Sequence, residues 1–313
     1  MVAEIIAMTV LAVALFAVGI HHPVRFIIDT GGTAVGGSYL PVFLAAMLTS
    51  TWVLYGFDSA GSLAEEVRNP RRAVPKALIS SLVMTFIIGG LAVVAFILAI
   101  PDLTETINSP VPLMYILESN LGTWMTNGFV VIAVIAMFVC GTAIQASVAR
   151  LLFSLGRDKK LPGSKLWVKV SKRYETPVPA IIFPGIVALI LTISASAESY
   201  IVNICVVGIY IAYLSVPVGA LFARSKGWDN TKAPWNLGKW GLPVNLVAAA
   251  WGIFVIINLS WPRTPDAVWY VNYSVPLLAL VAIAIGAAYY FMAVRPQEKI
   301  EAGIAGNGQN KAV

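Results

Sequence analysis

The chain has 313 residues, 58% of them hydrophobic and only 12% charged, with a mean hydropathy of +0.82. A soluble domain carries about 25% charged residues, so this composition excludes a water-facing globular domain, a disordered chain and a disulfide-stapled secreted module. It defines an integral membrane protein of all-α class, and the net charge of +6 with a pI near 9.3 has to be interpreted by where the positive charges fall.

A helix needs about 20 apolar residues to cross a hydrocarbon core of roughly 30 Å, because lipid offers no partner for open backbone groups. Eight stretches qualify, running approximately over Ile5–Ile20, Tyr39–Ala64, Ala77–Ile100, Trp124–Leu155, Val178–Ala197, Ser199–Ala223, Gly241–Pro262 and Ala267–Val294. Segment one starts close to Met1 with only Glu4 as a charged flank. It has no polar leader and no small-residue cleavage site, so no signal peptide is expected.

The loop after segment one holds His21 and His22. Adjacent side chains on a turn rarely converge on one metal ion, so solvation is the expectation. The Gly-rich run Thr30–Gly37 lacks the Lys-Ser/Thr ending and the soluble strand of a phosphate loop, and is not read as one.

Segment two departs most from an ordinary span. Gly56, Asp58, Ser59, Gly61 and Ser62 fall within seven residues at mid-span. An aspartate there costs several kcal/mol if it faces lipid. The glycines loosen the helix, and Asp58, Ser59 and Ser62 are residue types that cap a restarting helix. The sequence therefore predicts two half-helices with an unwound joint, the kind of place where transporters bind polar groups in mid-bilayer. Trp52, Tyr55 and Phe57 bracket the joint with rings able to stack on or close over a ligand. The competing reading gives the glycines to close helix packing and pairs Asp58 structurally with a neighbouring span.

The outer loop Pro101–Gly122 carries Asp102, Glu105 and Glu118 without a basic residue. In segment four, Thr142, Gln145 and Ser147 are expected to face the bundle interior, with hydrogen bonding between helices the favoured role and Gln145 the best additional site candidate. The cytoplasmic loop Gly156–Pro177 mixes Leu161, Leu166, Trp167, Val168 and Val170 with lysines, a pattern that suits a short amphipathic piece on the membrane surface. Segment six offers Asn203, Tyr210 and Tyr213 with a kink at Pro217; Tyr210 could line a cavity or pack. Trp261, Trp269, Tyr270 and Tyr273 read as an interfacial belt. Cys140 and Cys205 read as small buried hydrophobes. The tail 297–313 reads as disordered.

Of the 21 Lys and Arg, all but Arg25 and Arg263 follow the ends of segments two, four, six and eight. The positive-inside rule then puts those ends and both termini in the cytoplasm. The positive charge reports topology and contact with an anionic leaflet, so no nucleic-acid partner is expected.

The run Gly56-Phe-Asp-Ser-Ala-Gly-Ser-Leu-Ala-Glu-Glu-Val-Arg-Asn-Pro-Arg-Arg-Ala-Val-Pro-Lys-Ala77 resembles the sixth helix and following loop of the amino acid-polyamine-organocation permeases, most closely the bacterial amino acid and choline type. Arg150–Pro162 is similar to the end of that family's eighth helix. The resemblance implies that the eight segments are helices five to twelve of a LeuT-like inverted-repeat transporter lacking its first four helices. Residues 1–296 would form a transmembrane permease domain, with the second inverted repeat at about 39–223 and a peripheral helix pair at about 241–294. The missing part includes the first broken helix, whose Gly-rich joint binds the substrate carboxylate in that family. Trp52 falls where some members have a gating aromatic. Tyr55, Gly56 and Phe57 would offer carbonyls to a substrate ammonium, and Asp58 matches the family's acidic position.

The function this implies is alternating-access secondary transport of an amino acid or related small amine across the cytoplasmic membrane. Segment one lacks the lysine that stands in for sodium in some members, so a proton is favoured over sodium by family habit. The substrate-binding candidates are Trp52, Tyr55, Gly56, Phe57, Asp58, Ser59, Gln145 and Tyr210. No catalytic residue, metal or cofactor is expected, since no span pairs a nucleophile with a base. The readings left open for the assembly are a homo-oligomer, a missing N-terminal half, and a non-transporting structural or assembly subunit or inactive fragment needing a partner chain.

Overall fold

A computed structural model of the chain describes residues 2–32, 37–193, 195–228, 234–263 and 268–298. Parts of the Gly-rich run and nearly all of the tail expected to be disordered lie outside these residues. The described residues are all-helical apart from turns and short connections. The helices are α1 (Val2–Val18), α2 (Leu40–Val53), α3 (Ser59–Ser62), α4 (Pro70–Leu98), α5 (Leu103–Asn108) and α6 (Pro112–Arg157). They continue as α7 (Ser164–Trp167), α8 (Val178–Thr192), α9 (Ala195–Ser225), α10 (Gly241–Ser260), α11 (Trp269–Asn272) and α12 (Ser274–Tyr289), the last running into a π turn at Tyr290–Val294.

Among the described residues five stretches are long and apolar enough to cross a membrane: Pro70–Leu98, Pro112–Arg157, Ile204–Ser225, Gly238–Ser260 and Ser274–Glu298. Glu4–Val18, Leu40–Thr51 and Val178–Thr192 are apolar but shorter. Each expected segment thus has a helix in its place, with differences in bounds; α12, for one, starts at Ser274 instead of Ala267. The second span stops at Val53 because the backbone breaks before Gly56. The third starts seven residues early, since Pro70 takes a first-turn position where its missing N–H costs nothing. The boundary between the fifth and sixth lies near residue 194 instead of 198.

Local sequence sets the helix ends in the stretch after α4. Asp102 caps α5, its Oδ1 accepting from the Glu105 amide at 2.8 Å. α6 turns sharply at Gly122, whose φ of 76° and ψ of 162° are open essentially to glycine alone. A Cβ at Gly122 would meet no atom within 4 Å, so the requirement is purely conformational. Gly122→Ala is expected to cost about 1–3 kcal/mol and to lower the thermal unfolding midpoint in detergent by several degrees. The helical Gly128, equally open, is the control; equal midpoints for both alanine variants would remove the strain argument.

The chain divides into two units, Met1–Ile144 and Gln145–Val313. The core of the first packs Leu11, Ala12 and Leu15 of α1 on Ala92 and Ala95 of α4, on Ala99 just past its end, and on Ile116 and Leu117 of α6. The alanine stripe on α4 lets the backbones approach closely, which in lipid replaces the missing hydrophobic drive between helices. In the second unit α9 packs on α8, α10 and α12. Val206, Val207 and Tyr210 of α9 are buried, as are Ala249, Gly252, Val255 and Leu259 of α10, and a Cβ on Gly252 would stand 3.2 Å from Leu214.

Several surface expectations change. His21 and His22 are not simply solvated: both backbone amides donate to the Leu98 carbonyl, at 2.9 and 3.3 Å. His21 Nε2 lies 2.9 Å from Asn120 Oδ1. Asn120 Nδ2 donates to Ala99 and Ile116 carbonyls, each at 2.8 Å. The end of α4 leaves carbonyls without intrahelical donors, and the turn after α1 supplies them. Thr142 is exposed within this chain, its hydroxyl donating to Val139 and Phe138 of its own helix. Cys140 and Cys205 are free and exposed instead of buried; a small thiol on a span needs no protein cover because lipid is itself apolar. Trp261, Trp269, Tyr270 and Tyr273 are exposed, as a belt requires.

Candidate functional site

The break in the second span is present as the alternation of glycine and polar residues predicts. α2 ends at Val53, residues 54–58 are non-helical, and a single helical turn resumes at Ser59–Ser62, followed by a 3-10 turn at Ala64–Glu66. Gly56 has φ of +83°, a left-handed backbone that side chains with a Cβ avoid. The second half-helix is therefore much shorter than a continuous span to Ala64 would give.

The capping chemistry differs from expectation. Asp58 occupies the N-cap position of α3, but its carboxylate makes no cap hydrogen bond, and its φ of −63° and ψ of −16° are helical. A cap needs extended backbone to swing its oxygen over the free amides. Ser59 and Ser62 act in the opposite sense: their hydroxyls donate to the Gly56 and Ser59 carbonyls at 2.6 and 2.7 Å. The Gly56 carbonyl also accepts the Ser59 amide at 3.1 Å, and the Phe57 carbonyl accepts the Ala60 amide at 3.3 Å. The joint is thus tied by its own turn.

Tyr55, Gly56, Phe57 and Ser59 are partly buried and Asp58 is exposed. Trp52 lies in the last turn of α2. These six candidates share one stretch of the first unit. Thr51, which the sequence reading passed over, is the most buried residue here, at 2% exposure; its hydroxyl donates to the Leu48 carbonyl. A hydroxyl-rich Thr-Ser-Thr run just before the joint was the available signal.

The other two candidates belong to the second unit. Gln145 of α6 donates its amide to the Ile181 carbonyl of α8, the hydrogen bond between helices favoured for it. Tyr210 of α9 is 8% exposed and stands edge-on to Tyr213 at 5.9 Å between centroids. Among the described residues no group of three or more His, Cys, Asp or Glu side chains could hold a metal ion.

A set of apolar helices interrupted by a glycine joint beside an acid defines a multi-pass membrane protein with a transporter-type discontinuous helix. The chain belongs to the amino acid permease family, whose model matches residues 1–285. The proteins it matches are named as permeases. It is 29% identical to "Amino-acid permease 2" of Neurospora crassa over 77% of this chain and 45% of that protein. With "Amino-acid permease BAT1" of Arabidopsis thaliana the identity is 27%, over 82% of this chain and 52% of the relative. The "GABA-specific permease" of Saccharomyces cerevisiae is 28% identical, over 70% and 39%. The chain spans about half the length of the curated relatives it matches.

Proposed function

We propose that this chain carries the second part of a secondary active transporter for an amino acid or related small amine, working by alternating access across the cytoplasmic membrane. The observation that carries the reading is the unwound joint at residues 54–58, with Gly56 at positive φ and Asp58 exposed beside it. An acid facing lipid at mid-span would cost several kcal/mol, so an exposed Asp58 fits a water-filled cavity or the remainder of a larger transporter. Tyr55, Gly56, Phe57, Asp58 and Ser59 would form the amine side of the site, and Trp52 would close over it.

On this reading the eight apolar helices correspond to helices five to twelve of a twelve-helix LeuT-like fold of the bacterial amino acid and choline type. The inverted repeat spans about 39–223 and a peripheral pair about 241–294. The even-numbered segment ends and both termini are cytoplasmic, and coupling to a proton is favoured over sodium.

The test is uptake of a labelled amino acid mixture, including 4-aminobutyrate, into proteoliposomes holding the protein in its full natural length. Accumulation driven by an imposed proton gradient is expected, with none in protein-free vesicles. Equal label in both preparations, across proton and sodium gradients alike, would overturn the proposal.

A further inference from the structure

The loop between α6 and α8 is a built element and not a slack connection. Trp167, at the end of α7, packs edge-on against Phe183 of α8 at 5.1 Å and donates its indole N–H to the Pro162 carbonyl at 2.8 Å. It lies so close to Gly156 of α6 that a Cβ there would stand 2.8 Å from its own. The tryptophan of the loop thus turns inward and fastens it to α6 and α8.

Beyond Trp167 the chain closes a second tight turn. The Ser171 amide donates to the Thr176 carbonyl and the Glu175 amide to the Ser171 carbonyl, both at 2.9 Å. Ser171 Oγ accepts from the Arg173 amide at 3.3 Å and the Tyr174 amide at 3.4 Å. These bonds hold Lys172, Arg173 and Tyr174 at a tip, with the Arg173 guanidinium 5.3 Å from the Tyr174 ring centroid. The Lys160 ammonium is engaged by Glu298, whose hydrogen bond holds it above the usual lysine range.

What this anchored loop leaves outward is both apolar and basic. Leu166, Val170 and Tyr174 are 51%, 47% and 62% exposed, and Lys165, Lys169, Lys172 and Arg173 are spaced among them with Glu175 as the opposing charge. Apolar and aromatic side chains flanked by Lys and Arg suit the boundary between headgroups and acyl chains. The tether to α6 and α8 keeps the loop at the helix ends, where that boundary lies. We infer that residues 164–176 form a docking element for an anionic lipid surface, with Leu166, Val170 and Tyr174 entering the interface and the four basic side chains meeting lipid phosphate and carboxylate groups.

Each Lys or Arg at such a surface contributes about fivefold to partitioning. The test uses the full chain with Val170→Cys in a Cys140→Ser, Cys205→Ala background, labelled with a fluorophore and reconstituted into vesicles carrying nitroxide-labelled acyl chains. With about 30 mol% phosphatidylserine in both leaflets, quenching is expected to be at least roughly twice that in phosphatidylcholine alone. About 0.5 M NaCl should remove the difference by screening. The variant Lys165→Gln, Lys169→Gln, Lys172→Gln, Arg173→Gln should show none at low salt. Equal quenching in the two lipid compositions, a salt-insensitive difference, or a difference surviving in the quadruple variant would each overturn the inference. The composition and salt dependence of the parent chain decides the matter even if the variant fails to fold, and neither depends on substrate transport.

Discussion

Asp58→Asn is expected to abolish gradient-driven accumulation of the labelled amino acid while leaving the protein folded. The substitution keeps the side chain's size and removes its charge. Three tasks are open to an acid beside the joint, and they separate in one set of measurements. If Asp58 holds the substrate ammonium, losing a charged hydrogen bond of about 1.5–3 kcal/mol raises the half-saturating concentration at least tenfold in both counterflow and net uptake. If it carries the coupling proton, exchange of labelled for unlabelled substrate survives and only uphill accumulation is lost. If it only stabilises the restart of α3, the loss appears in thermal stability and not in either transport mode. The structure already weighs against the third, because the carboxylate makes no cap hydrogen bond to α3. Unchanged uptake and unchanged coupling in the variant would remove Asp58 from the mechanism.

The second large effect is expected at Gly56. Its φ of +83° disfavours residues with a Cβ, yet a Cβ would find no atom within 4 Å. Gly56→Ala therefore tests backbone conformation with little steric interference. The left-handed conformation costs a residue with a Cβ about 1–2 kcal/mol, enough to change the population of the broken joint five- to thirtyfold. The chain relieves that strain by moving toward a continuous helix, so uptake should fall by about that factor. Gly61→Ala is the comparison: Gly61 has equal open space and lies in the helical turn of α3, so uptake should change little. Equal loss at both positions would mean that the joint is not the working element.

How much of this was legible beforehand differs from residue to residue. The break at Gly56 was readable because glycine and capping-type residues are rare in the middle of an apolar run, and lipid makes any such interruption costly. The direction of the serine hydrogen bonds was not readable. Ser59 and Ser62 can either accept from amides or donate to carbonyls, and the choice depends on the backbone angles at Asp58, which composition does not carry. The partners of the histidines were not readable for a similar reason. Leu98 and Asn120 lie far along the chain, and only the packing of α1 on α4 brings them together. Gln145 was placed in its favoured role, since an amide on an apolar helix must find a carbonyl or pay for burial. Trp167 read as part of an amphipathic piece, but its inward anchoring on Gly156 and Phe183 needed the geometry of three helix ends.

The sequence by itself determined that this protein lives in a membrane, where its second apolar helix is broken, and its membership of the amino acid permease family. Those properties follow from one-dimensional quantities: run length against bilayer thickness, the positions of glycine and charge, and motif spacing. The tertiary structure alone decided which carbonyls the polar side chains satisfy, that the second half of the broken helix is a single turn, and which face of the basic loop is pinned and which is free. These depend on contacts between residues distant in sequence, and in lipid such contacts are set by close packing of small residues and by hydrogen-bond partners, neither of which leaves a periodic trace in the chain.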